Sequence, residues 1–285
     1  MTCRMKLNIF KISSPQSRDS ACAVPTLVVQ NIIHLNKNSH LDYILRLADN
    51  PMILGQNLSK WCGHGPILEQ DIAITNISLD FIGQARNLYQ YAAELEGKGR
   101  TEDDFAFLRD PLNYKNALLV EQPNGNWGQT IMRQFLYDSF NFYLYNELKN
   151  STDKQISAIA EKSLKEIKYH LRYSSEWVVR LGDGTEESHQ KMQTALDDLW
   201  MYSGELCTPD ALDVQMYEAG IGADLDKIRP LWQEKINTTL TRATLQKPDS
   251  NWMQSGGKQG KHSEHLGFIL AEMQFMQRTY PNMEW

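Results

Sequence analysis

Four cysteines in 285 residues, Cys3, Cys22, Cys62 and Cys207, are too few and too scattered for a disulfide framework, and no CxxC spacing marks a zinc or redox site. They read as free thiols of a cytoplasmic protein. No apolar run approaches the roughly 20 residues that cross a bilayer. Nor is there a surplus of positive charge. Lys and Arg number 29 against 35 Asp and Glu, a net charge of -6, which argues against nucleic acid as the main partner because phosphate binding needs clustered cations. Alternating runs of strand type, internal repeats and low-complexity tracts are also missing. What remains is a mixed-charge globular chain, long enough to bury a sizeable core.

Residues 1–38 stand apart. Arg4, Lys6, Lys11, Arg18 and Lys37 face Asp19 alone, and Ser and Pro are mixed with short apolar runs. No apolar core of about 7 to 15 residues with a cleavage site follows the charges, so a poorly ordered extension is expected rather than a signal or transit peptide.

From Ser39 onward the periodicity is helical and predicts one domain over residues 39–285. Ser39 with Asp42 opens a helix toward Trp61, which Pro51 should kink or divide. Pro66 restarts the chain. Residues 67–95 then repeat apolar side chains at helical spacing until Gly97, and a helix apolar on most of its circumference is expected at the centre. A short helix around 104–108 precedes the turn Glu121-Gln122-Pro123-Asn124-Gly125-Asn126. Further helices are predicted over 127–149, 152–181, 185–206, 208–218, 224–245 and 262–280. Long helices with short connections imply an antiparallel bundle.

Bundles that bind two metals use one Glu from each of two helices and an ExxH motif from each of the other two. Here only Glu186-x-x-His189 fits. Its place just after Gly182-Asp183-Gly184-Thr185, in a first helical turn, is that of a cap. Polar residues on inner stripes are the stronger clue. Asp138 interrupts the stripe of Ile131, Phe135, Phe142 and Tyr145. Asn76, Asp80, Gly83, Gln84 and Asn87 form a ladder on the second helix, and Glu166 and His170 lie one turn apart. Three readings fit Asp80, Asp138, Glu166 and His170. They form a degenerate metal site, a metal-free acid and base pair, or a buried network with Lys162, Lys168, Arg86 or Arg133 as counter-charges. An unpaired buried carboxylate is costly, and no nucleophile or phosphate loop accompanies the set. The network is therefore favoured, with no catalytic residue and no metal ligand assigned.

The second candidate is the segment Gly256-Gly257-Lys258-Gln259-Gly260-Lys261-His262. Glycines let a backbone approach an anion, and Lys258, Lys261 and His262 stand where phosphates would meet a helix start. A flexible loop explains the same residues, since this is no Walker motif. His64 reads as a turn residue. In His262-x-Glu264-His265, neighbours one and two positions apart do not share a helix face.

Longer blocks carry a family resemblance. They are Leu54-Gly55-Gln56, Trp61-Cys62-Gly63-His64-Gly65-Pro66, Leu79-Asp80-Phe81-Ile82-Gly83-Gln84-Ala85-Arg86, Val120-Glu121-Gln122-Pro123-Asn124-Gly125, Tyr169-His170-Leu171-Arg172, and the tail Gly256 to Gly267 followed by Glu272-Met273-Gln274. From about residue 41 onward the sequence resembles the C subunit of the bacterial phenylacetyl-CoA epoxidase complex. The resemblance implies a ferritin-like antiparallel bundle with additional C-terminal helices, paired with a homologous di-iron catalytic A subunit. In that family's complex, which includes a reductase, oxygen and NADPH epoxidise the ring of phenylacetyl-CoA, and the C subunit is structural. It further implies that this chain holds no cofactor of its own, that the remaining subunits are its partners, and that the phosphates to be met at Lys258, Lys261 and His262 are those of coenzyme A. Where a His would follow Asp80 by three residues stands Gly83. The alternative is a ferritin-like oxygenase or metal-binding bundle with a reduced ligand set. The stretch before Ser39 departs from the family pattern.

Overall fold

The computed structural model describes residues 37–281 and 283, so the expectations for residues 1–36 lie outside the described residues. Among these there are nine α-helices and no strand: α1 Lys37–Ser59, α2 Leu68–Glu96, α3 Glu102–Phe107, α4 Trp127–Leu148, α5 Lys154–Gly182, α6 Glu186–Ser203, α7 Ala211–Glu218, α8 Leu225–Arg242 and α9 Glu264–Thr279. The all-α bundle is the fold that the periodicity predicts.

The helix starts are written locally. Asn126, Asp153, Thr185 and Asp224 each accept a backbone N–H of the following turn, satisfying donors that have no partner within the helix. Gly97 ends α2 in the left-handed region at φ 67°, a conformation open to glycine at little cost. Cross-helix bonds give the antiparallel order. Along α2 and α5, Gln70 meets Tyr173, Asp80 meets His170, Gln84 meets Glu166, and Tyr91 meets the cap residue Asp153.

Of the two outcomes expected at Pro51, division is not found: α1 runs unbroken through it. Buried Ala48, Met52, Ile53 and Leu54 flank the proline, and Asn50 Oδ1 accepts Ala117 N–H at 2.8 Å, so packing on both sides holds the helix through the missing donor. Nor is α2 the central helix. That place belongs to α4, with 16 of its 22 residues buried. The apolar residues of α2 divide between two faces. Ile74, Ile77, Phe81, Ala85 and Leu88 go inward, while Leu68, Ile72 and Leu79 face solvent.

The later helices complete the core around α4. Trp232 of α8 donates to Leu136 O at 3.1 Å and stacks on Trp200 of α6, ring centres 5.9 Å apart. Gln274 of α9 donates to the carbonyls of Ala106 and Arg109, tying the last helix to the segment after α2.

Candidate functional site

At the centre, α2, α4 and α5 bring Asp80, Asp138, Glu166 and His170 into one region as three separate couples. Asp138 is fully buried and accepts from Gln134 Nε2 at 2.6 Å and Ser174 Oγ at 2.8 Å. His170 Nε2 lies 2.9 Å from Asp80 Oδ2, and Gln84 Nε2 donates to Glu166 Oε2 at 3.2 Å. The Phe81 ring packs against His170, centres 4.9 Å apart, and against Tyr137 at 5.8 Å. Burial pushes the Asp138 carboxyl up to about 6, against the opposing pull of His170, Ser174 and Gln134.

The expected counter-charges are elsewhere. Arg133 is fully buried, but it donates to Gln122 O and, at 2.6 Å, to Asn124 Oδ1, so it secures the turn before α4. With no carboxylate beside it, burial pushes its guanidinium down to about 9. Arg86 reaches out to Glu102 at 3.2 Å, and Lys162 and Lys168 are exposed. The helical period places these cations on outer faces or at another level of the bundle.

This region does not fit a di-iron centre. Among the described residues, no three His, Cys, Asp or Glu side chains converge to hold a metal ion. Glu and His ligands would have to point at a shared point; here each carboxylate is turned to its own donor, and an aromatic ring fills the space beside His170. Glu186 accepts from Gln190 on the surface, and His189 Nδ1 contacts Gly182 O at 2.7 Å, so the lone ExxH serves the start of α6.

The Gly-rich segment is tied to the core through Lys258 and His262. Lys258 is buried, with Nζ 3.1 Å from Asp213 Oδ2 and 2.9 Å from Thr208 O. His262 meets Glu121 Oε2 at 2.9 Å through Nδ1 and Tyr114 O at 3.0 Å through Nε2. Both neighbours are acceptors, so both ring nitrogens donate only as imidazolium. Burial opposes that charge, but the Glu121 hydrogen bond and the carbonyl outweigh it and raise the ring's pKa. Lys261 alone of the three stays exposed. The glycines serve the backbone: a Cβ at Gly257 would strike Asn116 O and lie 3.0 Å from Leu118 N, and Gly256 and Gly260 hold φ of 130° and 79°.

Sequence reasoning missed the ion pairs that this strap completes. Arg46 spans Asp210 at 2.7 Å and Asp213 at 2.9 Å, and Asp213 continues to Lys258. Burial alone would raise the Asp210 carboxyl, but the Arg46 hydrogen bond and charge hold it well below the usual range. Asp49 is likewise buried against Arg109, the Tyr89 hydroxyl at 2.7 Å and Lys115 N–H at 2.8 Å. Glu205 accepts the N–H groups of Leu118, Gly256 and Lys258. Arg46 and Asp49 interrupt the apolar run Tyr43 to Leu54 just as Asp138 interrupts its stripe; that signal was readable.

The outer face of α2 is a feature the core does not explain. Leu68, Ile72 and Leu79 are 71%, 52% and 60% exposed, and at 100° per residue they share one stripe. Gly83 continues it, with open space where a Cβ would stand, and exposed Tyr169 immediately precedes His170 in α5, which packs on α2.

The profile of the family described as "Phenylacetic acid catabolic protein" matches residues 29–285. The chain is 48% identical over 243 residues to the C subunit of the 1,2-phenylacetyl-CoA epoxidase of Escherichia coli (strain K12), covering 85% of this chain and 98% of that protein. A bundle whose central carboxylates face neutral donors and whose Gly-rich tail is built into the core thus belongs to the phenylacetic acid catabolic protein family.

Proposed function

We propose that this chain is the non-catalytic C subunit of a phenylacetyl-CoA epoxidase complex in phenylacetate breakdown, supporting a di-iron catalytic A subunit. The observation that carries the reading is the exposed stripe of α2. Leu68, Ile72 and Leu79 hold apolar surface in water at a position where a monomer gains nothing from it, and obligate heteromers cover such surface with a partner. Reducing equivalents from NADPH and a reductase act at the A subunit, and this chain supplies a rigid wall to it. Its own donor set supports this assignment, because Asp138, Glu166 and His170 are each committed to a neighbour. No described helix is long and apolar enough to cross a membrane, and Cys62 and Cys207 are free thiols, in keeping with a cytoplasmic complex.

The test is a titration of the full chain against the A subunit. The double change Ile72→Glu and Leu79→Glu should weaken association at least about 100-fold while leaving helical content unchanged, since buried unpaired charges at an interface cost several kcal/mol. Undiminished binding would remove the α2 face from the proposal. Stoichiometric iron retained by the isolated chain through dialysis would overturn the non-catalytic assignment and favour an oxygenase with its own reduced ligand set.

A further inference from the structure

The strap over residues 256–263, which leads into α9, is fastened at its two ends by different chemistry. At its start Glu205 accepts the N–H groups of Gly256 and Lys258, and Lys258 Nζ lies 3.1 Å from Asp213 Oδ2 beside Arg46. Carboxylates, lysine and arginine all keep their charges through the neutral range. The other end is held by a histidine. His262 Nδ1 is 2.9 Å from Glu121 Oε2 and Nε2 is 3.0 Å from Tyr114 O, and the same Glu121 accepts Ser263 N–H at 2.6 Å where α9 begins. The His262 side chain is 5% exposed and that of Glu121 fully buried, so bulk water does not replace a lost bond.

We propose that the His262 end of the strap is a pH-sensitive latch, closed while the ring bridges Glu121 and Tyr114 O and released when the ring loses a proton, with the Lys258 end holding throughout. Two acceptors on opposite sides of one imidazole demand two N–H groups, and the neutral ring has one. Whichever nitrogen gives up its proton then points a lone pair at an oxygen 2.9 or 3.0 Å away. If Nδ1–H stays with the carboxylate, Nε2 opposes the Tyr114 carbonyl, for which no other donor stands among the described residues. The ring has to leave that position, and Ser263 and the first turn of α9 follow it directly in the chain. Asn116 Nδ2 still donates to Glu121 Oε2 at 3.0 Å, so the carboxylate stays in place and the opening is local. The charges that act on the ring favour the closed state: Glu121 from the turn before α4, and Asp49 of α1, itself paired with Arg109. Lys115, Lys261, Glu264 and His265 on the adjoining segments form no ion pair with it. With its folded value raised above the unfolded one, His262 contributes stability in full below about pH 6.5 and loses it as pH rises through the folded value.

Ring-nitrogen NMR of the full chain should show both His262 nitrogens protonated near neutral pH and a titration above the ordinary value of about 6.5. Amide hydrogen exchange is then compared at about pH 6 and about pH 8.5, corrected for the intrinsic pH dependence of exchange. The N–H of Ser263 should lose protection at least about tenfold at the higher pH, as for one charge-assisted hydrogen bond, while those of Gly256 and Lys258 keep theirs. His262→Gln should show the low protection at both pH values. Glu121→Gln keeps an acceptor oxygen but removes the charge, and should move the transition to lower pH, a shift that loss of packing alone does not produce. A ring that titrates at or below about 6.5, a Ser263 amide equally protected at both pH values, or a loss shared equally by Gly256 and Lys258 overturns the proposal. The titration and exchange of the parent chain decide the matter even where a variant fails to fold.

Discussion

Two buried polar clusters in this molecule solve the same problem differently. Around Asp138 a carboxylate in the middle of the bundle is met by an amide and a hydroxyl, and its carboxyl titrates high because burial outweighs those neutral donors. Around Arg46 two carboxylates, a guanidinium and an ammonium are matched in charge, and Asp210 titrates low. The first lies at the centre of the bundle, among α2, α4 and α5; the second lies where the C-terminal strap closes on α1. Cross-linking by opposite charge, expected at the former, is found at the latter. A bundle can be held by packing at its centre and by ion pairs at its edge.

The largest test of that contrast is Arg46→Met. It takes the cation from half-buried Asp210, leaves buried Asp213 with Lys258 alone, and should cost about 3 to 5 kcal/mol in urea unfolding; a loss under 1 kcal/mol would make the cluster incidental. Gly257→Ala attacks the same edge sterically. Its methyl group has to displace the Asn116 carbonyl, so a loss of about 1 to 3 kcal/mol is expected in the same experiment.

At the centre the sign reverses. The Asp138 carboxyl titrates at about 6 in the folded chain and at about 3.9 when unfolded. Between those values the folded protein binds more protons, so this group makes stability fall as pH rises from 4 to 6 and leaves it lower above that. Asp138→Asn should therefore stabilise by about 2 kcal/mol at pH 7.5, with the Gln134 carbonyl oxygen available to accept from the new amide, and should gain nothing below pH 4. A destabilised variant at neutral pH would show that the charge is better supported than its neighbours indicate. Smallest of all, Lys261→Ala should shift stability by less than about 0.5 kcal/mol, whereas Lys258→Ala should cost several times more, because only the second lysine is inside.

Much of the fold was legible. Caps such as Asn126 and Asp153, the stop at Gly97 and the stripe on α5 are local features, written within a few residues of the elements they define. The depth of Asp138 followed from the same periodicity. The candidate site was less legible. Lys258 and His262 look like surface cations in a Gly-rich loop, and nothing near them in the chain reveals Asp213 or Glu121 as partners. The error over α2 has a related cause: an apolar residue reads the same whether it faces a core or a neighbouring protein.

The sequence alone determined where helices begin and end and which side chains lie on one stripe, because those follow from 3.6 residues per turn and from capping groups close at hand. Only the tertiary structure decided that α4 rather than α2 is central, that Arg46 pairs with Asp210 from 164 residues away, and that Leu68, Ile72, Leu79, Phe268 and Phe275 remain uncovered. Pairing and burial depend on which helices are neighbours, and adjacency in space is carried by no local pattern.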